Sequence, residues 1–296
     1  MAAGVIKDLR TFSVAVNAAF KTAVQGQFKG DPLAPLTTVV PMQGVKEIEF
    51  PIAGVTGPMR EWKGSRIVTS IMRDSYRIKT KKFEKTLGID VDDIQFDNLD
   101  VFMPGIQTYS TQLAAWRTQQ MHKALEANLI GYDEQPFFST THQVNGLNVS
   151  NYQAGVGPAF YVLDDTKPLK PLLWGETQAP VMKAKTSDSD DNVFWRDQYI
   201  WGAKAIGGPG VGLWQTAYKS KGDLDEANLE NIITTMRDAK DEEGETLDIV
   251  PTVLLIPPSL LWDAQRLLGR ATNPDGTENI HQGSLRIVVS NRLTGI

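Results

Sequence analysis

Between Asp97 and Gly131 the chain carries an apolar stripe at helical spacing, and no other feature constrains its fold as much. Phe102, Ile106, Tyr109, Leu113, Trp116, Gln120, Ala124, Leu125 and Leu129 keep a three-to-four residue period. Asp97, Asn98 and Asp100 are candidate caps, Pro104 is tolerated in a first turn, and Gly131 is a natural stop. The pattern predicts one helix over about 99–131, roughly 45 Å long at 1.5 Å per residue. A typical globular helix has about 11–12 residues. A rod of this length needs a flat partner surface along most of one side.

The segments around the rod supply strands. From Val45 to Val91 the period shifts towards two. Ile48, Phe50 and Ile52 alternate with Glu47, Glu49 and Pro51, and further strands run through Ile67–Ile71, Tyr76–Ile78 and Phe83–Ile89. The run at 54–64, GVTGPMREWKG, holds three glycines and a proline and reads as a loop tip. Two long strands with a loop tip and charges on both faces are not stable alone. A partner surface is needed, and a second copy of the chain is one source.

Before this ribbon, Leu9, Phe12, Val16, Ala19 and Phe20 recur at helical spacing, and Pro32 and Pro35 then favour an extended path. The segment is either an arm that docks elsewhere or an N-terminal helix with a linker. After the rod, residues 159–174 and 191–218 read as long strands anchored by Phe160, Tyr161, Trp174, Phe194, Trp195, Tyr199, Trp201 and Trp214. A capped amphipathic helix follows at 225–240. The run 251–269 then gives a buried strand, a proline turn and a helix from Pro258 or Ser259, and Leu285–Val289 a last buried strand. Long strands beside long helices place the chain in the α+β class, with a compact strand–helix–strand layer at its end.

Composition closes off several functions. The 296 residues are enough for a sizeable core, and no apolar run approaches the ~18 residues that span a bilayer. No basic segment leads into an apolar core at the N-terminus as given, so no secretory signal and no membrane partner are expected, and the setting is cytosolic. Cysteine is absent, which excludes disulfides, thiolate chemistry and cysteine-ligated zinc. The net charge of −5 is not that of a nucleic-acid-binding protein as a whole. The charge is nonetheless uneven. Arg73, Arg77, Lys79, Lys81, Lys82 and Lys85 crowd one segment, Asp188, Asp190 and Asp191 another, and Asp241, Glu242, Glu243 and Glu245 a third. They form either solvated faces or complementary patches between subunits.

No catalytic, cofactor or metal residues are assigned. His122, His142 and His281 have no metal-ligand spacing, and His122 is expected at a surface or interface. Ser139, His142 and Asp133 form a Ser–His–Asp set only on paper, without a nucleophile-elbow motif. The run 207–212, GGPGVG, lacks the Lys-Ser/Thr of a phosphate loop and reads as a tight turn. The acidic run 186–192 lacks the glycine and distal glutamate of a calcium loop. Trp62, beside Lys63 and Arg66, suits either base stacking or an interface anchor.

Two segments that flank the rod, KKFEKTLGIDVDDIQFD (81–97) and YDEQPFFSTTH (132–142), resemble those of Mu-like phage major head subunits. So do YVLDDTKPLKPLLW (161–174), DDNVFWRDQYIWGAKA (190–205), GLWQTAYKSKG (212–222) and PTVLLIPPSLLWDAQRLL (251–268), in that family's order. The resemblance covers roughly residues 10–296. It implies an HK97-type capsid fold, with an N-terminal arm at 1–40, an extended hairpin or E-loop at 41–94, a P-domain mainly at 95–220 containing the rod as its spine helix, and an A-domain mainly at 221–296. It implies self-assembly through hexamers and pentamers into an icosahedral shell of a tailed phage or prophage around double-stranded DNA. The implied partners are a separate scaffolding protein, a portal and a possible decoration protein. Trp62, Lys63, Arg66, Arg73, Arg77, Lys81 and Lys82 are the expected inter-subunit contacts. In better-known shells of this type the long P-domain strands come last, whereas here they precede the 251–269 unit. A permuted thread is therefore expected, with the Leu285–Val289 strand beside the strand at Phe160. Two other readings remain: an encapsulin-like shell around protein cargo, and a soluble α/β hydrolase using Ser139 and His142.

Overall fold

Helix α1 (Leu9–Gly30) carries Phe12, Val16 and Phe20 on one stripe, and all three are buried. The computed structural model describes residues 9–52, 74–95, 99–241, 244–273 and 275–293. The α1 stripe packs within its own chain, Phe12 edge-on to Trp201 with ring centroids 5.5 Å apart. Of the two readings of this segment, the structure has the helix with a linker. The linker is not extended. Asp31 Oδ1 accepts from Leu33 N, and a 3₁₀ turn at Ala34–Leu36 uses Pro35 where its fixed φ is an advantage, burying Leu33 and Leu36.

Strands β1 (Thr37–Pro41), β2 (Glu47–Ile52), β3 (Asp74–Lys79) and β4 (Lys81–Asp90) follow. β2 and β3 pair antiparallel, with Ile48 opposite Ile78 and Phe50 opposite Tyr76. β4 does not extend this hairpin. It is the edge of a four-stranded sheet, ordered β1-β9-β10-β4, with β9 at Leu172–Lys185 and β10 at Gln198–Val211.

After the short α2 (Val91–Gln95), the rod runs as α3 (Leu99–Ala114) and α4 (Trp116–Glu126), about 42 Å at 1.5 Å per residue. The i→i−4 ladder crosses Ala115: its N–H bonds Thr111 O, and its carbonyl accepts from Gln119 N. Pro104 lies inside α3, one turn deeper than expected. The rod ends at Asn128, before Gly131. Asn128 takes a left-handed conformation (φ 50°), and its side-chain amide pairs both ways with the Phe138 backbone, at 2.8 and 2.9 Å.

A second, five-stranded sheet is ordered β13-β12-β8-β11-β7. Its strands come after the small hairpin β5 (His142–Val144) and β6 (Leu147–Val149). They are β7 (Tyr152–Gln153), β8 (Phe160–Leu163), β11 (Ala217–Ser220), β12 (Val253–Ile256) and β13 (Arg286–Val289). Each face of β8 and β12 meets a different core. Tyr161, Leu163, Val253 and Leu255 join Met121, Leu125, Phe137 and Trp174 under the rod. Phe160, Val162, Leu254 and Ile256 pack against Leu229, Ile232 and Met236 of α6 (Glu226–Arg237) and Ala264 of α7 (Leu261–Ala264). Burial on both faces explains their unbroken apolar sequences. β13 is an edge strand and only partly buried. It pairs parallel with β12, which separates it from β8. The adjacency expected from the permuted thread is thus off by one strand. Ile296, whose position would test that thread, lies outside the described residues.

The 207–212 run is not a turn. Gly207, Gly208 and Gly210 lie within β10, none with positive φ, and Gly212 follows directly. They are glycine because backbone and rings approach too closely for a Cβ. One at Gly208 would sit 2.0 Å from Lys79 O, and one at Gly207 2.5 Å from the Trp174 ring. One at Gly210 would lie 2.8 Å from the Tyr76 ring. The root of the β2–β3 hairpin thus lies directly on the sheet. Gly208→Ala is expected to destabilise the folded subunit by about 1–3 kcal/mol through overpacking, read as a lower midpoint in urea.

Candidate assembly surfaces

Among the described residues, Ser139, His142 and Asp133 lie near one another but do not assemble as a triad. His142 is fully buried and stacked on Trp214, with ring centroids 4.0 Å apart and planes 3° from parallel. Its Nδ1 lies 2.5 Å from Asp133 Oδ2 and its Nε2 3.1 Å from Asn151 Oδ1. Asn151 is held in that orientation because its Nδ2 donates to the carbonyls of Phe137, Trp214 and Ala217. Ser139 Oγ pairs with Thr141 Oγ1 at 3.0 Å, and Ser139 N donates to Asn151 Oδ1. The paper triad therefore contains a real His–Asp contact but no serine on the other ring nitrogen. The cluster fastens the turn after the rod to the strand system. His122, expected at a surface, is buried instead. Its Nδ1 faces Thr118 O at 2.7 Å and its Nε2 the Ser290 hydroxyl, and burial lowers its pKa.

The expected contact residues divide unevenly. Trp62, Lys63, Arg66 and Arg73 lie outside the described residues. Arg77 is exposed and already paired within its hairpin, to Glu47 at 3.1 Å and Glu49 at 3.0 Å. Exposed pairs of this kind add at most about 1 kcal/mol, so they set strand register more than stability. Lys81 and Lys82 are exposed at the start of β4, opposite Gly207 and Ile206.

Two surface features were not legible as such. The tip of the β9–β10 hairpin is a short helix, α5 (Asp191–Arg196), and not continuous strand. Asn192 Nδ2 ties it across to the Lys185 and Gln198 carbonyls, and Asp197 leaves it with a left-handed φ of 50°. Phe194 and Trp195, read in sequence as strand anchors, project here at 73% and 77% exposure. Their rings meet edge-on at 4.9 Å. One signal was available: adjacent residues on a strand point to opposite faces, so both could not have faced one core.

The second feature is a groove of about 320 Å³ between the rod and β4–β10, lined by Phe83, Lys85, Leu113, Trp116, Ala203 and Lys204 among others. Trp116 packs between Phe83, tilted at 5.1 Å, and Trp174, edge-on at 5.0 Å. Tyr109 donates to Lys85 O at 2.7 Å and holds the rod to the sheet edge. Burial, then the Glu84 charge, pushes the Tyr109 pKa up to about 12, so it remains a donor. At the sheet end below the tip, Asp90, Asp92 and Asp197 converge within 4.8 Å, all exposed. No helix among the described residues is long and apolar enough to cross a membrane.

Comparison with known proteins supplies what this geometry lacks. The family model described as Mu-like prophage major head subunit gpT matches residues 9–293. The major capsid protein of Escherichia phage Mu is 32% identical over 251 residues, covering 79% of this chain and 82% of that protein. The Mu-like prophage FluMu major head subunit of Haemophilus influenzae is 32% identical over 226 residues, covering 72% and 73%. In three dimensions the chain is similar to the procapsid of bacteriophage JBD30, with a TM-score of 0.77 and 29% identity over 94% of this chain and 99% of that one. The JBD30 capsid gives the same TM-score at 22% identity. The fold is therefore the α+β, HK97-type capsid fold.

If the His142 cluster is structural, His142→Ala leaves Asp133 Oδ2 without its partner and empties a stacked site. The expected result is a loss of about 2–4 kcal/mol in unfolding free energy, with no hydrolytic activity in either protein.

Proposed function

Because the chain belongs to the Mu-like prophage major head subunit gpT family, and so is the major capsid protein of a tailed phage or prophage, we propose that it closes into an icosahedral shell around double-stranded DNA. The family match across residues 9–293 carries this reading. We infer a purely structural role with no catalytic site, cofactor or metal. A buried His142 without a serine partner supports that.

In this reading residues 41–94, with the β2–β3 hairpin, form the E-loop, which lies over a neighbouring subunit. Its contacts include Trp62, Lys63, Arg66 and Arg73, with Lys81 and Lys82 at its root. The P-domain lies mainly in residues 95–220, with the rod, β9 and β10. The A-domain lies mainly in residues 221–296, with α6, β12, α7 and β13, and meets its copies around five- and six-fold axes. The contact surfaces differ on the two sides of each interface, and such heterologous contacts close into rings. A separate scaffolding protein, a portal and a decoration protein complete the head. A trimeric minor protein decorates the JBD30 capsid, which supports the last of these. DNA contact is independent of sequence and weakened by salt. Assembly takes place in the host cytoplasm, and the product is the virion shell.

Expression with the neighbouring head genes, followed by electron microscopy, tests the reading. Uniform closed shells tens of nanometres across are expected, with DNA inside when the packaging machinery is present. Protein cargo in place of DNA would favour an encapsulin-like role, and small soluble particles alone would overturn the shell. Trp62→Ala is expected to leave the melting temperature of the subunit unchanged while reducing shell yield severalfold.

A further inference from the structure

We propose that the aromatic tip at Phe194 and Trp195 of one subunit seats in the groove between rod and sheet of a second copy. The inference rests on the shell reading. Four observations carry it.

First, the tip is built to protrude. Phe and Trp each have about 150–250 Å² to bury, yet both are more than two-thirds exposed here, on a short helix whose base is tied by Asn192. An exposed aromatic pair on a fastened support is prepared for contact at little entropic cost.

Second, the groove offers a matching surface. Its apolar wall is made by Phe83, Leu113, Trp116 and Ala203, and its volume of about 320 Å³ suits large aromatic side chains.

Third, the charges are complementary. Around the tip the acids Asp188, Asp190, Asp191 and Asp197 outnumber the bases Lys185 and Arg196, while the groove lining carries Lys204 and Lys85, the latter bonded to Gln112 at 2.9 Å. Glu84 is the single acid in the groove lining. Such pairing orients an encounter more than it strengthens it.

Fourth, a subunit does not satisfy itself. Trp195 lies beyond the start of β10, and Gln198 to Ala203 alone spans about 17 Å at about 3.3 Å per residue. The groove of the same chain is out of reach, so another copy must supply one side. Tip and groove are different surfaces, so the contact is heterologous and propagates from subunit to subunit.

The absence of cysteine makes the test clean. Trp195→Cys combined with Gln120→Cys places one thiol on the tip and one in the groove lining. A disulfide needs Cα atoms within about 7 Å, so these two bond only between chains. After assembly and mild oxidation, the double variant is expected to give a ladder of linked chains on a non-reducing gel, and neither single variant does. Dimers from Trp195→Cys alone would show tip against tip and overturn the proposal. Shells of the double variant without the adduct would also overturn it. Should the double variant fail to assemble, Phe194→Ala with Trp195→Ala decides. Both positions are exposed, so the melting temperature is expected to hold while shell yield falls at least tenfold, and an undiminished yield overturns the contact. Wild-type protein that forms no shell sinks the shell reading and this contact with it. Wild-type shells, together with double-variant shells that lack the adduct, sink only the contact.

Discussion

The architecture depends on side chains that are missing. β10 runs through the middle of the four-stranded sheet, and at Gly207, Gly208 and Gly210 it has no Cβ. The Lys79 carbonyl, the Tyr76 ring and the Trp174 indole fill the space this leaves. Two consequences follow from that single constraint. The β2–β3 hairpin gains a rigid root, with Tyr76 and Ile78 buried in the main core although the strand carrying them is otherwise exposed. Trp174 also lies close enough to the sheet for Trp116 of the rod to meet it edge-on. Hairpin, sheet and rod are thus registered to one another through a few glycines, where ordinary side chains would hold them apart.

A second fastening joins segments that are remote in sequence. Asp31 takes Leu33 N on one oxygen and the Thr118 hydroxyl on the other, at 2.9 and 2.6 Å. One turn further along the rod, His122 bonds Thr118 O and meets Ser290 just beyond β13. The linker after α1, the rod and the last strand of the five-stranded sheet therefore share one buried polar chain. With Thr118 O as acceptor and the Ser290 hydroxyl as donor, neutral imidazole protonated on Nδ1 satisfies both partners. The lowered pKa of His122, caused first by burial, agrees with that state. Because the unfolded ring binds a proton more readily, this contribution is present above the ordinary histidine pKa and is lost as pH falls through the folded one.

The elements that read clearly from sequence were those with a strong period or a strong stop. The α1 stripe, the α6 helix capped by Asp225 and the fully buried β12 all have sequence patterns that admit one reading. Misreadings arose where a residue has two physical uses. Glycine signals a turn when it supplies positive φ, but 207–212 uses it for close approach, which a single sequence does not distinguish. Gly131 was the obvious helix stop. Asn128 took that role because its side chain also binds the Phe138 backbone, a contact ten residues away. His122 and His142 differ from surface histidines only in their tertiary partners. The assembly surfaces were the least legible, since exposure of Phe194 and Trp195 follows from how β9 and β10 close and not from local composition.

A shell subunit must satisfy two opposed demands, and the distribution of fastenings shows how this chain meets them. Its interior is over-determined: the His142 cluster, the Asp31–His122–Ser290 chain and the glycine-seated hairpin root each tie together elements far apart in sequence. Among the described residues its periphery is tied more by local contacts, with Arg286 to Asp165 at 2.8 Å a longer one. Arg77 spends its charge inside its own hairpin, α5 is fastened only at its base, and β13 leaves one edge open. Strength within the body and economy at the rim allow each contact between copies to be weak. Weak contacts are what correct closure requires, because a misplaced subunit must dissociate before its errors are enclosed. A stronger rim would trap mistakes, and a looser body would blur the angles between neighbours. The described fastenings therefore fix the body of the subunit more firmly than its rim.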